Sequence, residues 1–317
     1  MVEVTLGGVL PVVATPFDDK MMIDFEILCT EVDWLLDNGA DGLTVAMVSE
    51  IQRLSTLERE RLNDSVCSFV GGRVPVVVSV GAESTAIAVE LSRAARHSGA
   101  TAVMAAPPLL TSVDESGLRL YLDAIMSTAE MPVVLQDASA YVGNAIDPRL
   151  QGKLVDDYGA DNLFLKPEAA PIGPMVTAIH EAAASNIRIF DGSGGLALVD
   201  THARGITGTM PGPDLVWALR ALWDALEAAD SQRAIAISSP LAMLQSMVPG
   251  LDGYVAFEKH LLVRQGVLVS ERARGPVGFA LDKVERYLAD TLFDEIARVV
   301  GSPQSERPLR DGSLLHR

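Results

Sequence analysis

One of the five lysines of this chain follows an apolar segment that is typical of a buried strand. Lys166 comes directly after Leu163-Phe164-Leu165 and directly before Pro167, so it stands at the carboxyl end of a predicted strand. Burial among apolar neighbours disfavours the ammonium form. A neutral lysine amine adds to a carbonyl carbon, and the iminium that results draws electrons from the adjacent bonds. The position of Lys166 therefore predicts Schiff-base chemistry with a carbonyl substrate.

Lys166 also has an interpretation that involves no chemistry. Glu168 lies two residues further on, hence on the same face of the strand, where it would form an ion pair with the lysine. Alternatively, the ammonium would extend into solvent along its aliphatic stem. The other lysines lie in polar or helical segments, where a solvated ammonium is expected: Lys20, Lys153, Lys259 and Lys283.

The segment that carries Lys166 is the sixth of eight short apolar segments rich in β-branched residues. They alternate with longer segments of helical period, which indicates βα units and a parallel sheet. In a parallel barrel the carboxyl ends of the strands form the face that carries the active site. The predicted strands are Gly8 to Ala14, Gly42 to Ala46, Val74 to Val80, Ala102 to Ala106, Pro132 to Gln136, Leu163 to Lys166, Ile187 to Phe190 and Ile206 to Met210.

Eight strands alternating with helices favour a (β/α)₈ (TIM) barrel over an open doubly wound sheet, and no Gly-x-Gly-x-x-Gly follows the first strand. We expect the barrel over residues 1–229, a C-terminal helical extension packed on it over 230–300, and a frayed tail over 301–317. The predicted helices include Asp24 to Asp37, Glu83 to Gly99, Asp214 to Ala229, Ala234 to Met247, Gly253 to Val263 and Val277 to Val299.

The composition excludes several classes of function. The chain has 317 residues with 42 acidic against 25 basic side chains, a formal charge of −17, and such a field repels nucleic acid and anionic membranes. The five histidines have no paired metal-ligand spacing, so no metal and no cofactor are expected. Cys29 and Cys67 are expected to be reduced thiols. Without a signal sequence or a long apolar run, we expect a cytoplasmic protein.

The chain resembles the family of dihydrodipicolinate synthase and N-acetylneuraminate lyase over about residues 7–300. The resemblance implies a (β/α)₈ barrel in which Lys166 forms a Schiff base with a small 2-keto acid. It also implies a homo-oligomer, a dimer or a tetramer. It rests on five segments in barrel order: Gly8-Val9-Leu10-Pro11 to Thr15-Pro16-Phe17, Glu50 with Leu54-Ser55-Glu58-Arg59, Pro132-Val133-Val134-Leu135, Leu165-Lys166, and Gly205 to Gly208.

The chain departs from the family at the positions that bind and relay protons. Where the family commonly has Gly-Thr-Thr-Gly-Glu, whose hydroxyls bind the substrate carboxylate, this chain has Ala46-Met47-Val48-Ser49-Glu50. The fifth strand ends in Gln136-Asp137 instead of Tyr-Asn, and an amide has no useful proton to transfer. The Tyr-Tyr pair of the family aligns with Leu109-Leu110, and its arginine aligns with Tyr141. The phenolic proton relay is therefore absent from its matching positions.

Other residues are candidates for the missing functions. The turn Asp191-Gly192-Ser193-Gly194-Gly195 is rich in glycine, and successive backbone N–H groups there could hold the carboxylate; a flexible βα turn is the alternative. Glu168 is the favoured proton carrier, and Ser49, Asp137 and Tyr141 are others; an ion pair or a helix cap is the alternative for Glu168. The predicted catalytic residues are Lys166, Gln136 and Glu168, and the predicted substrate-binding residues are Met47, Val48, Ser49, Asp137, Gly192, Ser193, Gly194 and Met210.

Three functions remain open at this point. The first is a lyase, either a retro-aldolase or a dehydratase, that acts on a pyruvate-like 2-keto acid or a deoxy-keto sugar acid through Lys166. The second is a dihydrodipicolinate synthase of lysine biosynthesis with an altered proton relay. The third is a non-catalytic protein that binds a keto acid.

Overall fold

Eight short parallel strands form the centre of the structure, a computed structural model that describes residues 6–139 and 145–301. Strands β2 to β6 form one sheet, and β1, β8 and β7 form a second. Parallel bridges from Val12 to Thr44 and from Leu165 to Ile189 join the two sheets at both sides, which closes the barrel. The strands are β1 (Gly8–Val9), β2 (Leu43–Val45), β3 (Val76–Ser79), β4 (Ala102–Ala105), β5 (Val133–Gln136), β6 (Leu163–Lys166), β7 (Phe190–Asp191) and β8 (Gly208–Thr209).

Eight helices follow the strands in turn. Their ends show ordinary capping chemistry: the Asp24 carboxylate accepts from the amides of Glu26 and Ile27 where the first helix begins. A 3₁₀ turn at Met47–Ser49 follows β2. The helices are α1 (Phe25–Asp37), α2 (Thr56–Val70), α3 (Thr85–Ser98), α4 (Glu115–Ala129), α5 (Pro148–Tyr158), α6 (Ile172–Ala182), α7 (Leu198–Ala203) and α8 (Val216–Glu227).

Three further helices form the C-terminal extension: α9 (Ser231–Ser246), α10 (Gly250–Gln265) and α11 (Lys283–Val300). Helix α9 packs on α8 and on α11, whereas α10 packs against the 3₁₀ turn at Met47–Ser49. Because that turn leaves the carboxyl end of β2, α10 lies beside the face of the barrel that carries Lys166. None of the helices in the described ranges has both the length and the apolar character that a membrane crossing needs.

The barrel with its C-terminal helices is confirmed, and the differences lie at the ends of elements. The first strand is shorter than Gly8 to Ala14. Beyond Val9 the amides of Leu10 and Val12 still bond to the β8 side, but the Val13 amide bonds to Thr44 of β2, so the regular pairing with β8 ends. Helix α11 begins at Lys283 and not at Val277, because the Asp282 carboxylate caps it. Most of the tail predicted to be frayed, residues 302–317, lies outside the described residues, as does Tyr141.

Side chains alternate between the inside and the outside of the barrel along each strand. Met104, Val134 and Phe164 pack together in the barrel interior, whereas Leu135 and Leu165 belong to the layer between strands and helices. Since strand side chains repeat with a period of two, the residues two positions beyond Val134 and Phe164 also face inward. These are Gln136 and Lys166, which therefore form the layer nearest the carboxyl ends.

Candidate active site

A cavity at the carboxyl ends of the strands contains Lys166. Gln136 lies directly beside it, because the two residues are partners in the β5–β6 ladder. Most of the predicted site residues line this cavity together: Met47, Val48, Gln136, Lys166, Gly192, Gly194 and Met210. The structure thus brings residues from five strand ends to one place.

Lys166 is paired with a carboxylate. Its Nζ donates to Glu168 Oε1 over 2.7 Å, and Gln136 Nε2 donates to the same oxygen over 3.1 Å. Lys166 is 4% exposed and Glu168 is 2% exposed. Burial raises the pKa of Glu168, although the nearby Lys166 ammonium opposes that shift. A carboxylate whose pKa is raised in this way is a good acceptor for the proton that Lys166 must lose before it attacks a carbonyl.

Two acceptor atoms of this cluster are still unused. Glu168 Oε2 and Gln136 Oε1 are buried and have no hydrogen-bond partner within the described part of the chain. Gln136 therefore holds Glu168 with its amide N–H group and leaves its carbonyl oxygen available for a hydroxyl group.

Gly192 is required by the close approach of the Lys166 and Glu168 side chains. A Cβ at residue 192 would lie 2.9 Å from Lys166 Cε and 2.8 Å from Glu168 Oε1. Both distances are too short for van der Waals contact, so a larger residue would displace the lysine or the carboxylate. Because glycine has no Cβ, residue 192 leaves the space that the Lys166 and Glu168 side chains occupy.

The rest of the glycine-rich turn is held by its own aspartate. Asp191 accepts hydrogen bonds from the Ser193 amide over 2.9 Å and from the Ser193 hydroxyl over 2.7 Å. Ser193 therefore turns away from the cavity. Gly194 and Gly195 have φ of +65° and +98°, a backbone conformation that favours glycine.

Two other predicted binding residues use their polar atoms inside the protein. Ser49 Oγ donates to the Val13 carbonyl over 2.6 Å and accepts from the Ala46 amide over 3.2 Å. Asp137 accepts from the amides of Ser139 and Ile146, each over 3.0 Å. The structure does not bring Ser49, Asp137 or Ser193 to the cavity lining. Their hydrogen bonds fix the loops whose neighbouring residues line it.

Lys259 is buried, and the prediction that it is solvated is wrong. It is 1% exposed, and its ammonium donates to the carbonyl oxygens of Thr15 and Arg272 over 2.8 and 2.6 Å and to the Glu50 carboxylate. Glu50 ends the 3₁₀ turn at Met47–Ser49, so this ion pair ties α10 to the segment that lines the cavity. The sequence pattern did not reveal the burial of Lys259. A helix that is buried on more than one side has no continuous polar face, so its pattern does not show which charged residues point inward.

Helix α10 also supplies two cavity residues that the sequence analysis missed. Tyr254 and Glu258 line the cavity from the C-terminal extension. Burial and the nearby carboxylates raise the pKa of Tyr254 to about 12, so its phenol is neutral at physiological pH. Tyr254 and Glu258 are four residues apart, which places both on one face of the predicted helix. The sequence offered no signal that this face meets the barrel.

Within residues 6–139 and 145–301 no group of three or more His, Cys, Asp or Glu side chains is arranged to hold a metal ion. The polar groups of the cavity are instead an amine, an amide, a phenol and carboxyl groups. This set suits proton transfer and covalent addition to a carbonyl.

The fold and the site together define a (β/α)₈ barrel with a buried lysine at the end of its sixth strand and a carboxylate beside that lysine. The model of the dihydrodipicolinate synthetase family matches residues 5–293, which is nearly the whole chain. The chain belongs to this family, as its resemblance predicts.

Similar proteins agree with this assignment. A 4-hydroxy-tetrahydrodipicolinate synthase of Methanococcus maripaludis is 30% identical over 194 residues, which span 61% of this chain and 65% of that protein. YagE of E. coli, solved in complex with pyruvate, superposes with a TM-score of 0.84 at 22% identity, over 92% of this chain and 98% of YagE. A catalytic lysine mutant of the sialic acid aldolase of Ruminococcus gnavus superposes with a TM-score of 0.81 at 19% identity, over 93% and 98%. At such identities the two structures establish the shared fold.

Proposed function

We propose that this protein is a Schiff-base-forming lyase that acts through Lys166 on a pyruvate-like 2-keto acid or a deoxy-keto sugar acid. The observation that carries the proposal is the buried pair of Lys166 and Glu168 in the cavity. The pyruvate complex of YagE and the catalytic lysine of the R. gnavus aldolase support it, since both proteins share this fold.

The first step is a proton transfer within the buried pair. Lys166 gives a proton to Glu168 Oε1, which converts two buried charges into two neutral groups. In a buried site this conversion is assisted by the cost of keeping charges away from water. The free amine then bonds to C2 of the keto acid.

Glu168 then completes the Schiff base. A proton moves from the new ammonium nitrogen to the former carbonyl oxygen, which gives a neutral carbinolamine. The protonated Glu168 donates its proton to the carbinolamine hydroxyl, water leaves, and a cationic iminium stands beside a carboxylate. Gln136 keeps Glu168 in place through its amide N–H. In a retro-aldolase the C4 hydroxyl then gives its proton to the Glu168 carboxylate, the electrons of the C3–C4 bond move to the iminium, and an aldehyde and an enamine result. In a dehydratase Glu168 takes a proton from C3, and the enamine expels the C4 hydroxyl, which leaves as water with the proton of Glu168.

The substrate carboxylate is assigned to the wall formed by Gly192 and Gly194. Both residues line the cavity close to Lys166. Backbone N–H groups of a glycine turn replace the hydroxyl groups that are missing at Met47 and Val48.

A dihydrodipicolinate synthase with an altered relay is the second candidate. The names of the curated relatives favour it, whereas Gln136 in place of the family tyrosine opposes it. A non-catalytic keto-acid binder is the third. We further propose a homo-oligomer, a dimer or a tetramer, from the family resemblance; light scattering measures its mass.

Borohydride reduction in the presence of pyruvate tests the Schiff base. We expect the intact mass to rise by one reduced pyruvate per chain, and peptide mapping to locate the adduct on Lys166. An unmodified chain under conditions that saturate the site would leave only the non-catalytic alternative.

A further inference from the structure

Glu258 has a buried carboxyl group that nothing in the described structure uses. It is 4% exposed, and neither of its oxygens has a hydrogen-bond partner within the described ranges. A Cβ on Gly212 would overlap its carboxyl group, and both residues line the cavity that contains Lys166. The Glu258 carboxyl therefore lies at the cavity wall.

The groups that surround Glu258 favour the neutral form of its carboxyl group. Burial raises the pKa of Glu258 well above its usual range, and the carboxyl groups of Asp214, Glu31 and Glu50 raise it further. The Lys259 ammonium opposes them, but that ammonium already binds Glu50 and two backbone carbonyls. Tyr254, the other cavity residue of α10, carries a neutral phenol. The two buried lysines near the cavity are already paired with other carboxylates, Lys259 with Glu50 and Lys166 with Glu168.

A neutral carboxylic acid offers one O–H donor together with acceptor capacity. Leaving these groups unpaired in a buried site costs free energy, so the carboxyl group is matched to a ligand that both accepts and donates. A hydroxyl group does both. An anion would be repelled by the carboxyl groups around Glu258, an alkyl chain would leave its polar atoms unpaired, and an ammonium would require it to ionise against its burial.

We propose that Glu258 binds a hydroxyl group of the substrate, which makes the substrate a hydroxylated 2-keto acid of the deoxy sugar-acid type. This inference rests on the proposed function for the position of the keto group at Lys166. The substrate then extends from Lys166 toward α10, and the C-terminal extension selects it by its hydroxyl groups.

Calorimetric titration with two ligands of equal chain length tests the role of Glu258. The ligands are 2-oxo-3-deoxygluconate and 2-oxohexanoate, which has no hydroxyl groups. We expect the native protein to bind the hydroxylated acid more tightly. Glu258→Met, an apolar side chain of similar length, should lower this preference about tenfold, the effect of losing roughly one buried hydrogen bond. Glu258→Gln should keep most of the preference, because an amide donates and accepts.

Glu26→Met is the matched control, because Glu26 is an exposed carboxyl of α1 that neither lines the cavity nor belongs to the carboxyl groups that act on Glu258. We expect this variant to keep the native preference. If Glu258→Met does not fold, as judged by circular dichroism, Glu258→Leu takes its place. A preference that survives both apolar substitutions would overturn the inference. The inference would also be overturned if the native protein bound 2-oxohexanoate as tightly as 2-oxo-3-deoxygluconate, or if it bound 6-amino-2-oxohexanoate more tightly than either.

The same samples separate this inference from the proposed function. Borohydride trapping with pyruvate reports on Lys166 alone. Trapping without any preference for hydroxyl groups contradicts the role of Glu258 and leaves the Schiff base intact. A preference without trapping contradicts the Schiff base and leaves Glu258 as a binding residue.

Discussion

Lys166 Nζ and Glu168 Oε1 lie 2.7 Å apart in a part of the barrel where both side chains are almost completely buried. When two opposite charges are buried away from water, the loss of either partner leaves the other as an uncompensated buried charge. It is also easily converted into a neutral pair when a proton moves across the hydrogen bond. The predictions for these two residues follow from this relationship.

Replacing Lys166 with alanine should abolish turnover and borohydride trapping, while the fold survives. The amine contributes chemistry more than packing, and Glu168 can become protonated once its partner is lost, since burial already raises its pKa. Lys283→Ala, at an exposed lysine, is the control. A folded Lys166→Ala protein with more than a small fraction of native turnover would disprove the Schiff-base mechanism.

Glu168→Gln should lower kcat by about 10²–10⁴-fold, which is the usual effect of removing a general acid–base group. The amide keeps the shape of the carboxylate but cannot take the proton of Lys166. Stopped-flow measurement of Schiff-base formation should show the same loss, whereas Glu31→Gln should not. An unchanged rate of Schiff-base formation would assign Glu168 to an ion pair only.

The protein should be poor at condensing pyruvate with aspartate semialdehyde. The family resemblance implies that Met47, Val48, Leu109 and Gln136 stand where the family has its hydroxyl groups and phenols. Each proton transfer of the condensation that Glu168 does not take over from the missing phenols costs about 10²–10⁴ in rate. A coupled assay measures the rate with pyruvate and aspartate semialdehyde, and turnover of a panel of deoxy-keto sugar acids is measured for comparison. Turnover of the semialdehyde at biosynthetic rates would favour the lysine-pathway enzyme.

Lys259→Met should destabilise the protein by about 3–5 kcal/mol, the usual cost of leaving one member of a buried ion pair without its partner. Urea unfolding measures the loss, and Lys283→Met is the exposed control. Adding Glu50→Gln to Lys259→Met should recover part of it, because this removes a buried carboxylate whose remaining ion pair is with Arg53, at 3.8 Å. Equal stability of the Lys259→Met and Lys283→Met variants would contradict the structural role of the pair.

Stability should fall as the pH rises from about 5 to about 8, and Glu31 should account for part of the fall. Burial raises the pKa of Glu31 from 4.5 to about 8. Between these values the folded protein holds a proton that the unfolded chain releases. The free energy of unfolding therefore decreases with rising pH, by up to about 1.4 kcal/mol per pH unit for this group. Urea unfolding between pH 5 and 9 should show that the free energy of unfolding depends less on pH in Glu31→Gln than in the native protein. The same pH dependence in both proteins would contradict the assignment to Glu31.

The sequence predicted the parts of the site that depend on local order along the chain. Strand β6 has the predicted bounds Leu163 to Lys166, because apolar runs and turn residues are read from neighbours in sequence. The alternation of strand side chains then fixed the inward direction of Lys166, with Glu168 two residues on. Polar side chains in loops were harder to predict, since Ser49, Asp137 and Ser193 bond to backbone or to a neighbouring carboxylate only after the loops have closed.

The sequence by itself determined the barrel and the position of Lys166 at the carboxyl end of the sixth strand, and its resemblance to the family implied that the family's phenols are absent from their usual positions. Only the tertiary structure decided what stands opposite the lysine. Tyr254, Glu258 and Lys259 reach the cavity or its supporting turn from a helix nearly a hundred residues further along the chain. The face that a helix presents to its neighbour is set by the packing of the whole extension against the barrel, and no local pattern contains that information.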